Sequence, residues 1–122
     1  MTDICSIHHV SLIISSVERS WAFYHELLGL EIIDRPDLPF PGIWLKIGDQ
    51  QLHLLELPNP DPVDHRPEHG GRDRHLAVSV GDLDRLAGSL DQAGIVFARS
   101  KSGRAALFCR DPDGNALEFI QI

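Results

Sequence analysis

The chain has 122 residues, of which 43% are hydrophobic and 24% charged, a composition that excludes disorder and allows one domain with a proper core. Eighteen acidic side chains against eleven basic ones give a formal charge of −7, and the absence of a basic stripe excludes a nucleic-acid surface. No apolar run is long enough for a bilayer, no secretory leader is evident and two cysteines frame no disulfide scaffold, so a cytoplasmic protein with no membrane partner is expected.

In chain order, the segment from His9 opens as an apolar, β-type run and turns into an amphipathic stretch over residues 17–28. There Val17, Trp21, Tyr24 and Leu28 fall on one helical face, and Gly29 follows as the residue suited to a left-handed helix end. Strand-like runs follow at residues 30–33, 43–47 and 51–57, the last two joined by a tight Gly48-Asp49 turn. Residues 58–71 hold four prolines and two glycines and predict a linker without regular structure.

The pattern then starts again. His75 opens a second apolar run 66 residues after His9, and Leu83, Leu86, Leu90 and Ala93 mark a helix over residues 83–93 that ends at Gly94. Strand-like runs at 95–98, 104–109 and 115–120 complete the copy, with Asp111-Pro-Asp-Gly114 as the turn before the last. The fold class is therefore α+β: two βαβββ modules, 6–57 and 72–122, joined by the linker. Each module is too small to bury a core comfortably alone, so a single domain over 1–122 is expected.

The repeat nominates the chemistry. His9 and His75 recur on the opening strands, and Leu55-Glu56-Leu57 echoes Leu117-Glu118-Phe119 on the closing ones. Polar side chains recurring in apolar strands need partners, since burying them unpaired is costly. If the halves pack about a pseudo-twofold axis, two imidazoles and two carboxylates converge, a donor set that suits Zn, Ni, Fe, Mn or Co. The expected metal ligands are His9, Glu56, His75 and Glu118, with Glu56 and Glu118 also the catalytic carboxylates. His53 is a rival to Glu56, three residues away and on the opposite strand face. The competing reading keeps both histidines as ordinary strand residues bonded to backbone.

Of the other histidines, His8 points away from His9's face, His25 reads as solvated, and His65 and His69 lie in the linker, as exposed loop or as a cap over a bound substrate. Arg66, Arg72, Arg74, Lys101 and Arg104 form a basic cluster able to hold a carboxylate or phosphate. Trp44 and Phe40 read as cavity or interface residues, Trp21, Phe23 and Tyr24 as helix packing, and Cys5 and Cys109 as inert core.

Ile7-His-His-Val-Ser-Leu, the stretch Val17 to Tyr24, Leu28-Gly-Leu, Gly71-Arg-Asp-Arg-His75-Leu-Ala-Val and Asp111-Pro-Asp-Gly-Asn-Ala-Leu-Glu118-Phe together resemble the glyoxalase/bleomycin-resistance/dioxygenase (vicinal oxygen chelate) superfamily. The resemblance runs from about Ile7 to Ile120. It implies a cupped, partly open β-barrel and a divalent metal on His9, His75 and Glu118, with Glu56 at the fourth place of the glyoxalase branch. It further implies a small-molecule substrate, anionic to suit the basic cluster, and a homodimer. Lyase- or isomerase-type proton transfer is the expected reaction. An Fe(II) dioxygenase, a thiol transferase of the fosfomycin-resistance kind and a drug-sequestering binding protein are the alternatives. Ile13 stands where glutathione-dependent glyoxalases carry an arginine, which argues against lactoylglutathione lyase activity of the usual kind.

Overall fold

The computed structural model describes residues 2–122, and its contacts divide the chain into two compact units that meet in sequence at Pro60 and Asp61. The first unit runs β1 (His9–Ile14), α1 (Val17–Ser20) continuing as wider π-helical turns over Trp21–Leu27, β2 (Glu31–Ile33), β3 (Gly42–Ile47) and β4 (Gln50–Glu56). The second runs through a 3-10 turn at Gly70–Arg72, then β5 (His75–Val80), α2 (Leu83–Gln92), β6 (Phe97–Arg99), β7 (Ala106–Arg110) and β8 (Ala116–Gln121). The repeated βαβββ order is the one read from the sequence, with strand boundaries moved by one or two residues.

Both sheets have the same topology, β1-β4-β3-β2 and β5-β8-β7-β6. The first strand of each unit lies parallel to its last, and the other pairings are antiparallel. The helix is the crossover that such a parallel pair requires. It ends at a glycine in both units, Gly29 with φ +76° and Gly94 with φ +72°, a conformation that a side chain would strain. The next amide then closes the helix end, Leu30 N–H donating to Tyr24 O (3.0 Å) and Ile95 N–H to Leu90 O (2.9 Å).

One face of each sheet is the core face. In the first unit Ile43, Leu45, Leu52 and Leu54 are buried together with Ile14, Phe23 and Tyr24. In the second Leu107, Cys109, Leu117 and Phe119 are buried with Leu83, Ala87 and Leu90 of α2. Two expectations are corrected by this packing. Phe23 and Tyr24 are buried as read from the sequence, but Trp21, 38% exposed, is not part of the helix's buried face, since it opens π-helical turns whose spacing is wider than the assumed 3.6 residues. Cys5 is exposed rather than core, whereas Cys109 is buried and its thiol is pushed up to about 12 by desolvation, then by Asp111. The linker is irregular up to Gly70, and its residues from Asp61 onward pack as part of the second unit.

Candidate metal centre

On β5 the pattern His-Leu-Ala-Val-Ser-Val alternates exposed His75, Ala77 and Ser79 with half-buried Leu76, Val78 and Val80. The polar face is therefore opposite the core face. β8 lies between β5 and β7, and Ala77 and Phe108 flank Glu118 in register. The Glu118 carboxylate is thus buried, with 3% of its side chain exposed, although it points away from the core face. Its two oxygens are both engaged: Oε1 is 3.1 Å from His75 Nε2, and Oε2 accepts from Arg104 Nη2 at 2.8 Å.

The other ring nitrogen of His75 fixes what lies between His75 and Glu118. Nδ1 is 2.8 Å from the Asp73 carbonyl, which can only accept, so Nδ1 carries the hydrogen. A neutral ring then presents a bare lone pair at Nε2 to a carboxylate oxygen. The two atoms can be neighbours with a proton between them, on the ring or on the carboxyl, or with a metal ion there. Two donors bound to one ion at about 2.1 Å stand roughly 3.0–3.4 Å apart, so the observed separation fits either. The pair faces a cavity of about 820 Å³ walled by Phe108 and His69 and edged by Arg72, Lys101 and Arg104. The Arg72 and Lys101 side chains make no hydrogen bond or ion pair among the described residues. Arg66 and Arg74 are spent on Asp73 and Asp61.

The equivalent face of the first unit is aromatic. His9 stacks on His53 (centroids 4.1 Å apart), and the far side of His53 lies flat on Trp44 (3.8 Å, planes 1° apart). His53 Nε2 pairs with Gln51 Oε1 at 2.8 Å, leaving Nδ1 as the lone-pair nitrogen. Desolvation, and then the neighbouring His9 and His8, lower the pKa of His53 and so favour the neutral ring, the form in which an imidazole binds metal. His8 Nδ1 lies 2.9 Å from His9 Nδ1, one ring donating to the other.

The strand register corrects one expectation. Ser11 pairs with His53 and Ala77 with Glu118, so His53 holds the place equivalent to Glu118. Glu56 pairs with Ile14 as Gln121 pairs with Val80, on the opposite face from the histidines. Glu56 and Gln121 also act alike. Glu56 Oε1 accepts from Val17 N–H and Gln121 Oε1 from Leu83 N–H, each at 2.8 Å, at the start of the unit's helix. Glu56 is thus a helix cap and is not brought beside His9. The resemblance of Leu-Glu-Leu to Leu-Glu-Phe misled because a three-residue slip, being odd, reverses the strand face. Counting forward from the opening histidines would have pointed next to His53.

The structure therefore brings together His75 with Glu118 and His9 with His53, one pair on each unit. Among the described residues no group of three or more His, Cys, Asp or Glu side chains forms a metal cage. Sequence reasoning missed Asp73 and Arg110, which meet beside the segment leading into His75 and whose contacts carry no short-range signal. Of the linker histidines, His65 is exposed, whereas His69 caps the 3-10 turn by accepting from Gly71 N–H at 3.0 Å.

Comparison with known proteins follows the same lines. Residues 6–119 match the family described as the Glyoxalase/Bleomycin resistance protein/Dioxygenase superfamily. The chain is 32% identical over 116 residues to the glutathione transferase FosA of Serratia marcescens, covering 93% of this chain and 78% of that protein. It is 30% identical over 122 residues to a lactoylglutathione lyase of Neisseria meningitidis serogroup A, covering 93% and 88%. A candidate glyoxalase family protein of Bacillus anthracis superposes with a TM-score of 0.82 at 27% identity, covering 99% of this chain and 98% of that one.

Proposed function

Because the chain belongs to the glyoxalase/bleomycin resistance protein/dioxygenase superfamily, we propose that it is a divalent-metal-dependent enzyme acting on a small, anionic, oxygen-rich molecule. The observation that carries this reading is the buried Glu118, held against His75 Nε2 at the wall of a cavity edged by unpaired Arg72 and Lys101. His75 and Glu118 are the ligands that the second unit offers, and His9 and His53 those of the first, in place of Glu56. A bound divalent ion would supply Lewis acidity to substrate oxygens.

The protein's own groups divide the remaining work. Arg72 and Lys101, at the edge of the cavity, bind the acidic substituent. Phe108, only 6% exposed, shields one side of the His75–Glu118 pair from water. Arg104 holds Glu118 Oε2, leaving Oε1 as the ligating atom. A carboxylate clamped in this way is a poor proton shuttle, and Glu56, the other expected shuttle, caps a helix. Group transfer is therefore favoured over carbon-to-carbon proton transfer. In the transferase reading, a thiol sulfur bonds to the electrophilic carbon, that carbon's bond to oxygen breaks, and the thiol proton ends on the released oxygen. The likeness to a glutathione transferase supports this version. Lyase-type proton transfer is the second reading, supported by the lactoylglutathione lyase relative.

The test is direct. Protein purified without chelator is assayed for metal, then supplied with Mn(II), Ni(II) or Zn(II) and offered an epoxy-phosphonate with a thiol, or a methylglyoxal–thiol adduct. Oxygen consumption with Fe(II) tests the dioxygenase alternative. Turnover of the epoxide that His75→Ala abolishes supports the proposal. Turnover of the adduct alone moves the assignment to the second reading. No stoichiometric metal, together with ligand binding unchanged in His75→Ala, sinks the enzyme.

A further inference from the structure

The segment that delivers His75 is tied down by a cluster that the proposed chemistry does not use. The Asp73 side chain is 6% exposed and its carboxylate accepts four hydrogen bonds, from Arg66 Nε (3.0 Å), Arg66 Nη2, Arg110 Nη1 (2.8 Å) and the Arg74 amide (2.8 Å). Arg110, on β7, reaches further, donating from Nη1 to Gly114 O (2.7 Å) and from Nη2 to Pro67 O (2.6 Å). One guanidinium thus joins the linker, the turn before β8 and Asp73.

Asp73 has a second contact, through its backbone. Its carbonyl accepts from His75 Nδ1 at 2.8 Å. The side chain anchors the residue in a sheet-fixed frame, and the main chain of the same residue orients the imidazole two positions on. A ring held at Nδ1 can present only Nε2 to Glu118, so both the tautomer and the ring plane are set from outside the cavity. The Pro67 anchor fixes the start of the segment that carries His69 and Arg72 to the cavity wall.

We infer that Arg110 and Asp73 are positioning residues that lock His75 with Nδ1 protonated and Nε2 turned toward Glu118; this rests on the reading of His75 as a metal donor. Neither side chain touches the cavity pair, and both act through the Asp73 carbonyl.

Two readouts test it. In 15N-resolved spectra of the metal-free protein, wild type shows a His75 Nδ1–H protected from exchange, and Arg110→Met loses that protection. In Co(II) titrations followed by visible absorption, Arg110→Met binds about 10–100-fold more weakly than wild type. Gln121→Ala, which removes the cap of α2 and destabilises the same unit, leaves Co(II) affinity within about twofold. Should Arg110→Met fail to fold, Arg110→Lys, which keeps the charge and loses the bridging, carries the same measurements. A protected Nδ1–H that survives either Arg110 variant overturns the inference, as does Co(II) affinity falling equally in Gln121→Ala. Wild type that shows the protected proton and binds no Co(II) overturns the metal reading and leaves the positioning role standing.

Discussion

The two units solve one topology with different polar faces. Each sheet puts a histidine at the start of its first strand and a polar residue at the register of His53 or Glu118 in its last. In the first unit those places hold two imidazoles stacked on Trp44, with no carboxylate among them. In the second they hold an imidazole and a buried carboxylate, with Arg104 behind and a cavity in front. The difference shows that the scaffold specifies where donors go but not their charge. A neutral aromatic stack gains from packing and needs no counter-ion. A buried carboxylate persists only where hydrogen-bond donors or cations meet its oxygens. The second unit supplies Arg104 at one oxygen and the His75 ring at the other, with Arg72 and Lys101 at the edge of the same cavity.

The sharpest way to break this comparison is to neutralise equivalent-looking acids in the two units. Glu118→Gln should lower turnover on the order of 10³-fold, the scale of losing one oriented electrostatic group at a reacting centre. Glu56→Gln should leave turnover and metal content unchanged, because an amide already performs the same capping at Gln121. Steady-state kinetics with metal analysis of both variants decides between them. Equal losses would return Glu56 to the site.

The next largest effect is on stability and belongs to the second unit alone. Hydrogen bonds and charge from Arg66, with those of Arg110, hold the Asp73 carboxyl well below the usual carboxylate range. A depressed folded pKa means stability that is present above the unfolded value of about 3.9 and is lost as pH falls through it toward the folded value. Asp73→Asn should therefore cost about 3 kcal/mol at neutral pH, as broken buried pairs do, and flatten the acid limb of the stability curve below about pH 4. Urea unfolding between pH 2 and 7 measures both. Trp44→Leu sharpens the other half, removing one side of the His53 stack at a cost of about 1 kcal/mol and leaving the acid limb as in wild type. The smallest effect is expected at Ser20, whose hydroxyl is fully buried without a partner among the described residues. Ser20→Ala should be neutral or slightly stabilising, within about 0.5 kcal/mol.

The strands, helices, turns and the duplication were legible because each rests on local rules. Helical spacing, terminal glycines and a Pro-Asp-Gly turn are all written within a few residues of where they act. His9, His75 and Glu118 were legible for the same reason, since period-two alternation places them once the strand is known. The register of β4 was not. It depends on which residue of β1 lies opposite, and Ser11 against His53 is a long-range pairing that no short string encodes. The Leu-Glu similarity offered a false alignment that only the observed ladder removes. The Asp73–Arg110 pair, 37 residues apart, was invisible because charge partners across a fold leave no periodic trace. The π-helical turns after Ser20 escaped as well, and with them the exposure of Trp21.

The parallel pairing of first with last strand in each unit also sets an order of events during synthesis. His9 has no partner until Gln51 exists, and His75 none until Ala116 has been made. While the chain emerges, β1 waits through nearly its whole unit as an unpaired apolar strand, and non-local pairings of this kind form slowly. The first unit can close once residues up to about 56 are clear. The second cannot close until the final strand arrives, and that strand carries Glu118. The arrival of β8 therefore completes the β5 edge and installs the buried carboxylate in one step. A nascent second unit lacking its closing strand would be without its sheet partner and its chemistry alike.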